Sequence, residues 1–229
     1  MKSLFFIPFF LIIFSCSETT SLEASKSPTP DDLIAHTAEF KKEVIKVTEG
    51  VHVAIGYALA NAILVEGENS NIIIDTTGTI ETAREVKALF DAINSNPIEA
   101  IIYTHNHGDH TYGATVFAED SNPDIYAHDS TEEYLSRVIG IIRPIISARS
   151  SRMFGNSLPK SEVENNGIGP FLEIGRDGRQ PGLLYPTKTF SDKIPSIPKS
   201  SAGPAFILPS YSFYQFVIQQ LRRPNFTQF

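Results

Sequence analysis

Four potential metal ligands lie within one short stretch of the chain: His105, His107, Asp109 and His110. Imidazole together with carboxylate favours zinc or a similar divalent metal over magnesium and calcium, which prefer oxygen ligands. If the backbone stays extended here, the first three side chains project to one side and His110 to the other. This pattern suits two metal ions, with His105 and His107 on one and Asp109 and His110 on the other. Gly108 is expected to supply a positive φ where the ligand direction changes.

A predicted β-α-β unit positions this stretch. Residues 71–75 and 98–103 are apolar runs typical of buried strands, and residues 80–94 have the apolar spacing of an amphipathic helix. Thr79 is a candidate N-cap for that helix. The second strand of the unit ends at the metal-ligand stretch, and the carboxyl end of a strand is where open α/β sheets bind ligands.

The remaining elements are predicted from the same patterns. Residues 51–55, 60–66 and 71–75 indicate an antiparallel meander, with His52 facing outward and both faces of the sheet covered. Residues 31–47 indicate a polar helix, 124–127 a short strand and 130–150 a helix that breaks at Pro144. The fold class is therefore α/β, with α+β character.

The pattern His-x-His-x-Asp-His after an apolar strand resembles the first metal motif of the metallo-β-lactamase fold hydrolases. Within that superfamily, residues 61–66, 101–110 and 153–159 resemble stretches of the linear alkyl sulfatases, and the resemblance extends over residues 44–192. It implies a partial αββα sandwich, mainly the N-terminal half, and a zinc-dependent hydrolase of small anionic sulfate esters. Two zinc ions would activate a bridging water.

The resemblance also assigns roles to individual residues. It implies the same division of zinc ligands and a catalytic role for Asp109. Asp75 would support the metal loop, although a turn or helix-capping aspartate fits the sequence equally well. Arg149 or Arg152 would bind the sulfate through paired hydrogen bonds, but a solvated surface arginine is the better-supported alternative. A role for His128 as a further ligand is disfavoured.

Other functions stay open at this point. The same fold would also serve a hydrolase of another ester, a thioester, a lactone or a β-lactam, and a non-catalytic fragment is a third alternative. The formal net charge of −7 and the absence of a basic run disfavour nucleic-acid binding. The oligomeric state is open, with a homodimer as one alternative.

The two ends of the chain differ from the predicted domain over residues 31–192. Residues 1–15 indicate a signal peptide, Cys16 a lipid attachment site and residues 16–30 a flexible tether. We therefore expect a protein secreted across the inner membrane and anchored there by lipid, or else periplasmic with an ordinary signal peptide and an incidental thiol.

Residues 193–229 contain none of the 26 acidic residues of the chain. We expect this tail to be out of frame and the chain truncated relative to the family, with a genuine disordered tail as the alternative. With at most two ligands for each zinc ion, little hydrolase activity is expected of the chain as written.

Overall fold

The structure, a computed structural model, describes residues 30–192. The predicted signal peptide, Cys16, nearly all of the tether and the tail at 193–229 lie outside the described residues. Among residues 30–192, no helix is long and apolar enough to cross a membrane.

One seven-stranded sheet runs through the described residues, with its strands in chain order. The first four strands pair antiparallel, and the pairs from the fourth strand to the seventh are parallel. The strands are β1 (Glu43–Thr48), β2 (Val51–Ile55), β3 (Ala62–Glu66), β4 (Asn71–Ile74), β5 (Ile98–Ile102), β6 (Asp124–His128) and β7 (Lys188–Phe190). The predicted meander is confirmed as β2–β4, and the predicted mixed α/β fold is confirmed.

Six α-helices accompany the sheet within residues 30–192. They are α1 (Pro30–Thr37), α2 (Ile80–Ile93), α3 (Gly108–Thr111), α4 (Ala114–Ala118), α5 (Asp129–Arg137) and α6 (Arg143–Phe154). Helix α2 agrees with the prediction, and the side chain of Thr79 caps it by accepting a hydrogen bond from the Thr82 amide.

The predicted break near Pro144 is also present. A π-helical turn at Val138–Ile142 separates α5 from α6, and the proline lies in the first turn of α6. A proline is tolerated there because the amide it lacks would have no partner within the helix.

Two apolar clusters occupy opposite faces of the sheet, because neighbouring strand residues alternate between them. The larger cluster joins strand residues such as Ile73 and Ile101 to Val86, Phe90 and Phe117 from α2 and α4. The smaller cluster contains Val65, Ile72, Ile74, Ala100, Ile102 and Tyr126. Every residue of β4 is buried, so the prediction of a sheet covered on both faces is confirmed.

The predicted helix over residues 31–47 is wrong beyond Thr37, because residues 43–48 form β1 instead. This stretch is rich in β-branched side chains, and pairing with β2 along its length stabilises it as a strand. The short parallel edge strand β7 was not predicted at all. Its three residues are stabilised as a strand by pairing with β6. Sequence-local propensity therefore does not indicate this strand.

The prediction that His52 faces outward is also wrong. His52 is only 8% exposed, and its Nε2 lies 2.7 Å from Oε1 of Glu66. An alternating apolar pattern cannot distinguish a solvated histidine from one buried against a carboxylate on a neighbouring strand.

Candidate metal centre

Asp75 joins the end of β4 to the loop that follows β5. Its amide donates to the Ile102 carbonyl at 2.9 Å, which extends the parallel pairing of the two strands by one residue. The backbone then turns through a left-handed conformation, with φ 56° at Asp75. Non-glycine residues rarely adopt this conformation, and aspartate is among those that do so more often. The turn places a largely buried carboxylate beneath the loop.

The Asp75 carboxylate accepts three hydrogen bonds from the loop. Oδ1 accepts from the Thr104 amide at 2.9 Å, and Oδ2 accepts from the Thr104 hydroxyl at 2.7 Å. Nδ1 of His110 lies 2.7 Å from the same Oδ2. One buried side chain therefore fixes both ends of the segment that carries the candidate ligands.

The loop is not extended through its ligands, so the predicted alternation of their directions is wrong. The helical turn α3 begins at Gly108, and the His110 amide donates to the His107 carbonyl at 3.1 Å. The ring of His110 consequently faces His105, with the two ring centroids 4.1 Å apart. The ring of His107 is also close to that of His105, at a centroid separation of 4.6 Å.

Gly108 is required for a different reason from the one predicted. Its φ is not in the left-handed region, but a Cβ at this position would lie 2.6 Å from the ring of Tyr112. Gly113 is more restrictive, because a Cβ there would lie 1.9 Å from the Thr76 carbonyl oxygen. Gly113 therefore lets the chain after α3 pack closely against the turn that follows β4, whereas Gly108 leaves room for the Tyr112 ring.

The hydrogen bonds to Asp75 also determine which ring nitrogens are free. Nδ1 of His110 donates to the carboxylate, which leaves Nε2 for a metal. Thr104 gives its only hydroxyl proton to Asp75, so Nδ1 of His105, 3.0 Å from that oxygen, must be the donor in the next bond. Nε2 of His105 is then also free to accept a metal.

Burial and neighbouring charges shift these two histidines in opposite directions. Burial lowers the pKa of His105, and positive charge on His110 and His107 lowers it further. Burial also lowers the pKa of His110, but the hydrogen bond and charge of Asp75, with the charge of Asp109, outweigh it and raise the pKa overall. His105 is therefore held in the neutral form that binds metals.

The donor types of the loop fit zinc. Nε2 of His110 lies 3.5 Å from Oδ2 of Asp109, so these two groups face a common space. Within residues 30–192, however, no group of three or more histidine, cysteine or acidic side chains converges in a metal-binding arrangement. The division of His105, His107, Asp109 and His110 between two zinc ions therefore stays a prediction, as do the catalytic role of Asp109 and the supporting role of Asp75 toward a metal.

The sulfate-binding role of Arg149 and Arg152 stays a prediction. Arg149 and Arg152 are exposed on α6, and Nε of Arg149 lies 3.3 Å from Sδ of Met153. His128 serves a structural purpose, since it caps α5 through Ser130 and its Nε2 lies 2.8 Å from the Ser191 carbonyl.

A pocket beside Asp109 was missed by sequence reasoning. Apolar side chains from two segments line it, together with Gly78, Thr79, Thr82 and Glu173; the apolar residues are Ala58, Leu59, Phe171, Leu172 and Ile174. Residues 171–174 carry no regular element and no motif, so no sequence signal places them next to the loop.

The fold and the loop define a member of the metallo-β-lactamase superfamily. Residues 56–186, more than half of the chain, match the family profile described as the metallo-beta-lactamase superfamily, and the chain belongs to it. The matched region includes β3–β6, the metal loop and the pocket.

The curated relatives include alkylsulfatases, an O-demethylase subunit and exodeoxyribonucleases. The chain is 30% identical over 138 residues to a linear primary-alkylsulfatase of Pseudomonas sp.. The matched region covers 57% of this chain and 25% of that protein. It is also 30% identical to the 2,4-dinitroanisole O-demethylase subunit alpha of Nocardioides sp., over 67% of this chain and 39% of that one.

The solved structure of the stereoselective inverting sec-alkylsulfatase from Pseudomonas sp. superposes with a TM-score of 0.60 at 20% identity. The superposition covers 68% of this chain and 26% of the alkylsulfatase chain, and it establishes a shared fold. The chain spans about a quarter of the length of these two alkylsulfatases, and less of the other alkylsulfatases it matches.

Proposed function

We propose that the chain carries the first metal-binding loop of a zinc-dependent hydrolase of sulfate esters. The observation that carries this proposal is the buried Asp75 carboxylate, which orients His105 and His110 so that Nε2 of each is free. Buried carboxylates that orient metal-binding histidines are a recurrent feature of zinc sites. The relation to alkylsulfatases supports the choice of substrate class.

The residues of the loop would hold the metal as follows. His105 and His107 supply imidazole nitrogens, while Asp109 and His110 supply a carboxylate and a third imidazole. Bound zinc supplies a Lewis acid that lowers the pKa of water and stabilises negative charge. Asp75 fixes the tautomer of His110 directly and that of His105 through the Thr104 hydroxyl.

The pocket beside Asp109 has apolar walls at Leu59, Phe171 and Ile174, but it has room for about one water molecule and does not hold an alkyl chain. The proposed substrate class, an anionic sulfate ester, therefore rests on the relation to alkylsulfatases and on the donor types of the loop.

The test is a side-by-side assay of the purified, zinc-loaded chain with a medium-chain alkyl sulfate and with a β-lactam. We expect zinc-dependent release of inorganic sulfate and no preference for the β-lactam. Turnover should stay below about one per second, at the low end for enzymes, because the loop offers at most two ligands per ion. Faster cleavage of the β-lactam, or a rate independent of zinc, would contradict the proposal.

A matched control separates the site from contamination. Asp109→Asn should reduce the zinc-dependent rate, whereas Asp120→Asn changes an exposed aspartate paired with Lys87 and should leave it unchanged. Equal rates for the two variants would show that the activity does not come from this loop.

A further inference from the structure

Helix α6 and the π-helical turn before it contain no buried residue, although they extend over residues 138–154. Within the described residues, the main packing contacts of α6 are with the π-helical turn rather than with the sheet or with α2. We call residues 137–154 the α6 segment. It lies outside the core and contributes little to the packing described above.

The α6 segment exposes several large apolar side chains. Ile141 is 76% exposed, Ile145 68%, Met153 58% and Phe154 49%. Single exposed apolar residues are common on protein surfaces, but apolar residues aligned on one side of a helix mark an interaction site. Ile145 and Met153 are aligned in this way, whereas Phe154, nine positions after Ile145, falls on the opposite side of α6. Burial within the fold does not account for these residues.

The same segment is strongly basic. Four arginines lie in it, and the chain has no acidic residue between Glu133 and Glu162. They are Arg137, Arg143, Arg149 and Arg152. Two other arginines, Arg84 and Arg179, form ion pairs with Glu119 and Glu173. The α6 segment is thus a positive region on a chain whose formal net charge is −7.

Apolar and basic side chains share one face of α6. Ile145, Arg149 and Met153 follow one another at intervals of four residues, which places them in one row along the helix. The Arg149 Nε to Met153 Sδ distance of 3.3 Å shows that these two side chains lie together. Ser147 and Ser151 fall on the opposite side. This face therefore combines hydrocarbon with positive charge.

We propose that the α6 segment binds the surface of an anionic phospholipid membrane, with the helix lying in the plane of the interface. Exposed isoleucine and methionine side chains enter the boundary of the acyl chains, and the long arginine stems let each guanidinium reach a phosphate. A second copy of α6 fits this face less well, because it would bring arginine against arginine. The proposal is independent of the metal loop and of any lipid attached at Cys16.

Vesicle sedimentation of the purified full chain tests this proposal, with Cys16→Ala in every sample so that no acyl chain contributes. We expect binding to vesicles made of equal parts phosphatidylcholine and phosphatidylglycerol, and little binding to phosphatidylcholine alone. Each arginine near an anionic surface contributes a factor of about five, so Arg149→Gln with Arg152→Gln should weaken binding about 25-fold. Ile145→Ser with Met153→Ser should also weaken it.

The matched control removes the same charge elsewhere. Lys41→Gln with Lys188→Gln alters two exposed lysines outside the segment and should leave binding within about twofold. Circular dichroism verifies that each variant is folded. Equal weakening by the control pair, or no binding to anionic vesicles, would overturn the proposal. It would also be overturned if sedimentation velocity showed self-association that Arg149→Gln with Arg152→Gln abolishes, because the face would then be a protein interface.

Discussion

Replacing Asp75 by asparagine removes the charge beneath the metal loop while keeping the shape of the side chain. The carboxylate accepts from the Thr104 amide, the Thr104 hydroxyl and His110. An amide has one acceptor oxygen and one NH₂ group, so at least one of these donors will face another donor. The remaining bonds lose the strength that a charged acceptor gives them.

The expected loss of stability follows from these contacts. A hydrogen bond to a charged group contributes about 1.5–3 kcal/mol, against about 1 kcal/mol for a neutral pair. Losing one bond and weakening the other two lowers the free energy of unfolding by about 2.5–7 kcal/mol. Zinc affinity should fall about 10–100-fold, as it does when a residue that orients metal-binding histidines is removed.

Urea unfolding of the metal-free chain and competition with a zinc chelator measure the two effects separately. Asp91→Asn is the matched control, since Asp91 is exposed and pairs only at the surface with Lys87. This substitution should lower the free energy of unfolding by less than about 1 kcal/mol and leave zinc affinity unchanged. Wild-type zinc affinity in Asp75→Asn would refute the idea that this carboxylate orients the ligands.

Three further predictions concern the loop, the N-terminal region and the sheet. His107→Ala should abolish most zinc uptake, because it removes one ligand from a minimal site, and undiminished zinc in elemental analysis of the dialysed variant would contradict this. Cys16→Ala should make the protein extractable from the membrane fraction of cells by high salt, which screens the charges of α6 but does not remove a lipid anchor, and the absence of a palmitate label on the wild type would show that Cys16 is an ordinary thiol. Hydrogen bonds from Asn94 and His52 lower the pKa of Glu66 below its ordinary value of 4.5. A lowered carboxylate pKa stabilises the fold above about pH 4.5. The difference in free energy of unfolding between wild type and Glu66→Gln should therefore narrow as the pH falls through and below that value. A difference that stays constant with pH in urea unfolding would contradict this prediction.

The elements that carry the loop were predictable because their apolar periodicity is strong and local. Helix α2 combines a regular apolar face with the Thr79 cap, and β4 and β5 are apolar runs of strand length. Helices and buried strands of this kind have few alternatives, so their bounds fell within a residue of the structure. The clustering of ligand types between residues 105 and 110 needed no structure to be noticed.

The arrangement within the loop was not predictable from the sequence. Period-two alternation assumes an extended backbone, whereas His110 is carried on a helical turn and its ring is held by Asp75, 35 positions earlier in the chain. The role of Gly108 likewise depends on the position of the Tyr112 ring. Strand β1 and the burial of His52 were missed for the same reason, because both depend on pairing with β2 and β3 rather than on local propensity.

The most direct test of the account is X-ray absorption at the zinc edge of the zinc-loaded chain. We predict nitrogen and oxygen ligands at about 2.0–2.1 Å with the outer-shell scattering of imidazole. The imidazole signal should weaken in His105→Ala and stay unchanged in His36→Ala, which alters a histidine on α1 that packs against Phe40. A zinc environment without imidazole, or an imidazole signal unaffected by His105→Ala, would contradict the claim that this loop is the metal site.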